Sequence, residues 1–257
     1  MRVYPVRVTD ARDRPIRVDT RPARIAALTP AAREILVALG AGKRIVTTRE
    51  GFFDGKGRLV LARLKALKPD LVIAAQDSGD ERALGSLGVP VYFAPQNSIR
   101  DVEHAITQLG LLAGAPVAAR MLVHRIELTR QTVVARVAKT PRVSVFVDTG
   151  FFTTLPDTTL VGDLIREAHG RDVSGPTPAP GPFSIARLSE LDPDAYVATS
   201  AGGTTLEQLR RDPHAKRLRA VRNGRFAVIA SNLLLPGPQV GQALAEIARI
   251  LHPDAFR

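Results

Sequence analysis

Two short stretches carry the residue types from which acid–base chemistry is built. Asp77-Ser78-Gly79 and Asp148-Thr149-Gly150 each set a carboxylate beside a hydroxyl and a glycine. When two such loops face each other, their carboxylates share a proton, and the pair can activate water against a peptide bond. The order and spacing of the two loops, and the alternation of strands and helices around them, argue against that use. The other role is local. An aspartate heading a loop accepts hydrogen bonds from its own loop backbone. In both roles the two residues stand where they can line a binding surface.

The remaining chemistries are excluded in turn. No G-x-S-x-G, Walker A or G-x-G-x-x-G pattern occurs, so there is no nucleophile elbow and no glycine loop for phosphate. His104, His124, His169, His214 and His252 have no histidine partner at ligand spacing, and no acid completes a triad with them. The histidines read as structural, with His169 placed at a helix C-terminus, where its partial charge is favourable. The chain has no cysteine, which removes disulfides, thiolate metal sites and cysteine nucleophiles. None of these patterns marks a catalytic residue, a resident metal or a cofactor, and none is expected. The residues left for binding are aromatic. Phe52-Phe53 and Phe151-Phe152 fall in loops after strands, where exposed rings suit a flat apolar ligand, while one ring of each pair is a natural core residue.

Strands must present those loops. Arg24 to Leu28 reads as a strand, Pro30 to Leu39 as a helix capped by Thr29 and ended by Gly40, and Arg44 to Thr47 as the next strand. Two later segments match each other. LKALKPDLVIAAQDSG, Leu64 to Gly79, and LSELDPDAYVATSAGG, Leu188 to Gly203, both read L-x-x-L-x-P-D followed by an apolar strand and a glycine loop. Proline stops each short helix. Further strands are expected at Val89–Ala94, Arg142–Val147 and Arg225–Ala230, and helices at Thr159–His169 (ended by Gly170) and Pro238–Leu251. The predicted class is α/β: two similar lobes with mainly parallel sheets. Val117 to Ala138 runs without glycine or proline at helical spacing, giving one long bridging helix. The predicted organisation is a first lobe over 1–115, the bridge over 116–139 and a second lobe over 140–257. A hairpin is expected over Val3–Val18 and a proline-rich surface loop over Gly175–Pro182.

The sequence carries a formal charge of +11, but its arginines are dispersed, aromatics are 5%, and there is no tryptophan. Neither an RNA-binding aromatic box nor finger spacing accompanies the charge, so no nucleic-acid partner is expected; anionic ligands or surfaces remain. No run of eighteen apolar residues is present, and no span is predicted. The first residues lack a signal-peptide core, which leaves a cytosolic protein or a chain from which an export signal has been removed.

In open α/β sheets, ligands sit beyond the carboxyl ends of the strands. That rule selects Thr29, Phe52, Phe53, Gln76 and Asp77 in the first half, and Phe151, Phe152, Ser200, Gly202 and Asn232 in the second, as ligand-binding residues.

With these residues in place, the chain resembles the ABC-importer substrate-binding proteins for cobalamin, haem and ferric siderophores. RPARIAALTPAAREILVALGAGKRIV is similar to that family's opening and LKALKPDLVIAA to its first-lobe signature. LSELDPDAYVATSAGG and LLPGPQVGQALAEIARILHPDAF are similar to its second-lobe and terminal signatures. The resemblance implies a non-enzymatic extracytoplasmic carrier with two α/β lobes bridged by one helix, ligand held between them, and an ABC permease as partner. A lipid anchor would lie outside this chain. Glu81, in GDERALGSLGV, falls where the family's first permease-docking glutamate does. The second docking position lies near Asn232 to Pro236, which here reads SNLLLPGPQ without an acid. The cargo implied is a ferric siderophore or a cobalamin-type corrinoid. Tryptophans common in cobalamin sites are absent, and the loop that supplies a haem ligand reads REGFFDGK. The rival readings are a cytosolic α/β enzyme or cofactor-handling protein, and an orphan binding protein without an importer.

Overall fold

The computed structural model describes residues 4–176 and 181–257. Val3 of the predicted hairpin and residues 177–180 of the predicted Gly175–Pro182 loop lie outside the described residues. The chain divides into two units, Met1–Gln96 with Arg100–Arg125, and Asn97–Ile99 with Ile126–Arg257.

In unit one an antiparallel hairpin, β1 (Val6–Thr9) and β2 (Pro15–Val18), precedes β3 (Ile25–Ala27) and α1 (Pro30–Ala38). Next come α2 (Leu61–Ala66), β4 (Leu71–Ala75), α3 (Glu81–Gly85) and β5 (Val91–Ala94). The sheet is parallel in the order β3-β4-β5. Its apolar strands are buried on both faces, as parallel strands covered by helices must be. Thr29 caps α1, its hydroxyl accepting from the Ala32 N–H, and Gly40 takes the left-handed φ that turns the chain away.

The predicted strand over Arg44–Thr47 is cut to one bridge, Ile25 to Ile45. A 3-10 turn, Gly42–Arg44, uses its first residue, and a Thr48–Gly51 turn takes the chain away at the other end. Two helices follow β5, α4 (Ile99–Leu112) and the 22-residue α5 (Pro116–Val137). Gly110 lies where a Cβ would stand 2.3 Å from Ala119, so small residues set how closely α4 and α5 cross.

Unit two holds β6 (Val143–Asp148), β7 (Thr153–Thr154), α6 (Leu160–Glu167), β8 (Gly170–Asp172) and β9 (Gly181–Pro182). It ends with α7 (Ile185–Leu191), β10 (Ala195–Thr199), α8 (Leu206–Arg211), α9 (Arg219–Arg222), β11 (Phe226–Ile229) and α10 (Val240–Leu251). Its sheet is parallel in the order β11-β10-β6-β8. The sequence pattern missed β8, whose three residues follow a helix directly. The left-handed residue ending α6 is His169 and not Gly170. Gly170 is needed for space, since a Cβ there would lie 2.8 Å from Ile165 and Leu251 side-chain atoms. The end of the predicted proline-rich loop is strand β9, which pairs with β7.

The repeat holds in detail. Lys68 and Asp192, at matching positions before Pro69 and Pro193, both adopt positive φ. Asp70 and Asp194, at the next matching position, each donate their N–H to a strand carbonyl, Arg24 and Ser144 respectively. Through its carboxylate Asp70 also accepts from the Ala23 and Arg24 backbone N–H groups, and Asp194 from the Ser144 N–H. The same seven-residue pattern thus fastens the same strand edge twice.

Candidate binding site

Unit two gathers the more developed site. β6 delivers Asp148 at its carboxyl end, and the chain reverses at once. Thr149 donates to the Thr153 carbonyl at 2.7 Å and Thr153 to the Gly150 carbonyl at 2.9 Å, closing a hairpin whose two turn residues are Phe151 and Phe152. Both have positive φ, 52° and 58°. That turn geometry is normally filled by Asn-Gly, because a Cβ in the left-handed region meets the following carbonyl. Two phenylalanines there cost about 1–3 kcal/mol each. Phe152 recovers part of this by packing on the core around Tyr196 and by accepting from the Phe183 N–H at 2.8 Å. Phe151 recovers none, being 90% exposed.

The loop after β10 crosses this hairpin at backbone contact. A Cβ on Gly202 would stand 2.7 Å from the Thr149 carbonyl carbon and oxygen, so only glycine fits. Asp148 bolts the crossing together. It is 0% exposed, and its Oδ2 accepts from the Tyr196 hydroxyl and the Thr204 hydroxyl, both at 2.7 Å. Its Oδ1 accepts from the Gly150 N–H at 2.7 Å, the loop-capping role anticipated for it. Burial, and then the Asp148 charge, push the Tyr196 phenol far above its ordinary range, so it stays a donor.

Around this bolt lies a cavity of about 230 Å³, lined by Asp148, Phe151, Phe152, Gly202, Gly203, Thr204, Gln208, Leu209 and Asp212. Of the ligand-binding residues read from sequence, Phe151, Phe152 and Gly202 meet here. Gln208, Leu209 and Asp212 were missed. A capping box, in which Thr205 and Gln208 bond reciprocally, starts α8 and sets them in place; Thr205-x-x-Gln208 was the signal for it. Ser200 does not line the cavity. It is tied to Ser231 by paired hydroxyl and backbone bonds of 3.0–3.2 Å, which joins the loops after β10 and β11. Asn232 is exposed on the 3-10 helix Ser231–Leu234.

Unit one places its residues differently. Thr29 is occupied as a cap. Phe52 is 6% exposed and belongs to the core with Leu64 and Phe93, whereas Phe53 is 36% exposed. Asp77 Oδ1 accepts from the Gln96 amide at 3.1 Å. The Gln76 carbonyl accepts from Arg12 at 2.8 and 3.0 Å. Arg12 and Arg14 also each contact one oxygen of Glu81 at 2.6 Å. Both guanidinium groups lie over the Phe93 ring, at 3.8 and 4.5 Å. Buried Asp10 holds the turn that aims them, accepting from the Arg12 and Arg14 backbone N–H groups and from the Arg14 guanidinium. This clamp on Glu81 was not read from the sequence, although the alternation Asp10-Ala11-Arg12-Asp13-Arg14 carries it.

Among the described residues, no group of histidine and acidic side chains could hold a metal ion, and no helix is long and apolar enough to cross a membrane. Residues 54–233 match the family model described as periplasmic binding protein. A Bacillus subtilis protein described as an uncharacterized ABC transporter substrate-binding lipoprotein, YvrC, is 24% identical over 99% of this chain and 88% of its own length. A vitamin B12-binding protein of Vibrio parahaemolyticus is 31% identical over 36% of this chain and 39% of its own length. The solved structure of an ABC-type Fe3+-hydroxamate transport system from Saccharomonospora viridis superposes with a TM-score of 0.78 at 21% identity, covering 97% of this chain and 99% of that one.

Proposed function

The chain belongs to the periplasmic binding protein family, and from that premise we propose that it captures a ferric siderophore or a cobalamin-type ligand outside the cytoplasmic membrane and delivers it to an ABC importer. The observation that carries the capture step is the cavity at the carboxyl ends of β6 and β10, with Phe151 held out to solvent at the expense of backbone strain. A residue kept in a costly conformation with nothing packed on it is placed for something that arrives later. Phe152, Gly202, Thr204 and Gln208 complete that surface. Asn232, on the loop after β11, supplies a further contact, and Phe53, Gln76 and Asp77 are the candidate ligand-binding residues of unit one. Thr29, Phe52 and Ser200 are already engaged within the protein, as the cap of α1, in the core and with Ser231, and support the loops.

Glu81 is the permease-docking residue in this reading, presented by the Arg12–Arg14 clamp. The loop Asn232 to Pro236 meets the permease without a carboxylate.

The experiment is isothermal calorimetry on the full chain with ferric trihydroxamates, cyanocobalamin, haem and nucleotides, followed by thermal melts. The chain has no tryptophan, so calorimetry replaces the usual fluorescence titration. Ligand at one hundred times its dissociation constant stabilises by about 2.7 kcal/mol, which a melt resolves. Saturable binding of one iron chelate or corrinoid is the expected result. Binding of nucleotides alone would move the assignment to a cytosolic cofactor-handling protein.

A further inference from the structure

The charge of the cavity opposes the charge of the chain. The chain is +11, and nine residues line the cavity without one lysine, arginine or histidine among them. Two of the nine are aspartates. Asp148 receives its three hydrogen bonds from a phenol, a hydroxyl and a peptide N–H, all neutral donors. Asp212 Oδ1 accepts from the backbone N–H groups of His214 and Ala215, also neutral. Hydrogen bonds of this kind hold a carboxylate in place but leave its formal charge uncancelled. Glu81 in unit one, by contrast, faces two guanidinium groups. Charges outside the lining, the excess arginines included, are screened over about 8 Å at physiological salt, whereas a buried carboxylate beside a bound ligand is screened far less.

The rest of the lining is apolar or a neutral hydrogen-bonding group. Phe151, Phe152 and Leu209 give an apolar wall, and Gln208 and Thr204 give polar contacts. Aromatic faces next to carboxylates favour positive or neutral, donor-bearing groups, and both disfavour an anion. Resting on the carrier reading above, we propose that the cargo is an electroneutral or cationic chelate or corrinoid with an apolar face and outward N–H donors, and that multiply anionic catecholate or carboxylate chelates are rejected.

The test compares chelates of one metal that differ in charge. The probes are a linear ferric trihydroxamate bearing a free ammonium, a neutral cyclic ferric trihydroxamate and a trianionic ferric tris-catecholate, with cyanocobalamin as the neutral corrinoid. Dissociation constants are measured by calorimetry at 0.15 M salt. The tris-catecholate is expected to bind at least tenfold more weakly than the best neutral or cationic probe. Asp212→Asn keeps the Oδ1 acceptor for His214 and Ala215 and removes one charge; it should narrow that ratio at least threefold. Gln208→Glu keeps the capping-box acceptor for Thr205 and adds a charge to the wall; it should widen the ratio. Equal or tighter binding of the tris-catecholate, or a ratio that moves with neither variant, overturns the inference and leaves the carrier reading standing. Failure of every probe to bind overturns the carrier reading, and this inference with it.

Discussion

Two carboxylates at corresponding ends of the two parallel sheets are treated in opposite ways. Asp148, the last residue of β6, is fully buried and is satisfied by neutral donors from three chain segments. Glu81, opening α3 beyond the end of β4, has a side chain 52% exposed and is held by two arginines that arrive from a separate hairpin. A buried, fully donated carboxylate fixes loops, and its removal is costly because its donors are orphaned. An exposed pair contributes little to stability, and its arginines can be exchanged for those of another molecule. In the proposed reading the first arrangement serves as a rigid receptor surface and the second as a surface open to a partner.

The sharpest way to break the contrast is to truncate both. Asp148→Ala leaves the Tyr196 and Thr204 hydroxyls without their acceptor and should destabilise unit two by about 3 kcal/mol, at about 1–3 kcal/mol for each orphaned buried group. Glu81→Ala should change stability by less than about 0.5 kcal/mol. Urea melts of both variants check this. Equal losses would remove the distinction between bolt and docking residue. Gly202→Ala comes next. Its new methyl would press on the Thr149 carbonyl, and the strain should cost about 1–3 kcal/mol and abolish ligand binding by parting the two loops.

Phe151→Asn tests whether strain is being spent on binding. Asparagine tolerates the left-handed region, so the variant should be more stable than the natural chain by up to about 1 kcal/mol. It should bind cargo at least tenfold more weakly, since the exposed ring is gone. A variant that is both more stable and equally tight would show that Phe151 faces nothing.

Much of this is legible in the sequence. The L-x-x-L-x-P-D repeat gave two parallel sheets, because its proline, its aspartate and its apolar run each dictate local geometry. Gly202 was picked out from its position after a strand. The fate of each phenylalanine pair was only half legible. Phe52 and Phe53 are identical in type, and only packing against Leu64 and Phe93 decides which is core. The left-handed Phe151-Phe152 turn was beyond sequence reasoning, since propensity argues against phenylalanine there and tertiary contacts to Phe183 override it. Asp212 and the Arg12–Arg14 clamp were missed for another reason. Local signals existed, the Thr205-x-x-Gln208 box before Asp212 and the Asp10 to Arg14 turn, but what each meets, the Asp148 hairpin or Glu81, is distant in sequence and marked by no short spacing.

A smaller effect concerns pH. His252 is buried, its Nε2 3.0 Å from the Ala168 carbonyl, with the His169 ring 6.2 Å away and Arg225 also bearing on it. Burial, the largest influence, lowers its pKa below the ordinary 6.5. The folded form therefore favours the neutral ring. Between the depressed folded pKa and 6.5 the unfolded chain binds more protons, so stability is complete above 6.5 and falls as pH drops through that window. His252→Gln should flatten this part of the stability–pH curve. An unchanged slope would assign it to other groups.

The smallest effect on the isolated protein falls at Glu81, and there the consequence for transport is largest relative to that for folding. Glu81→Lys places a cation between Arg12 and Arg14, so the clamp opens. The pairs are largely exposed and worth at most about 1 kcal/mol, so folding survives. Cargo affinity should stay within twofold, because the unit-two cavity is untouched. Uptake in cells carrying the cognate importer should fall at least tenfold if the permease must find a carboxylate here. Arg14→Gln sharpens the point. It removes one of two competing guanidinium groups while Arg12 still aims the carboxylate, so docking should hold or strengthen. Should Glu81→Lys transport normally, the clamp would be a structural fastening of hairpin to helix, and docking would have to be sought on the leucine-rich loop from Asn232 to Pro236.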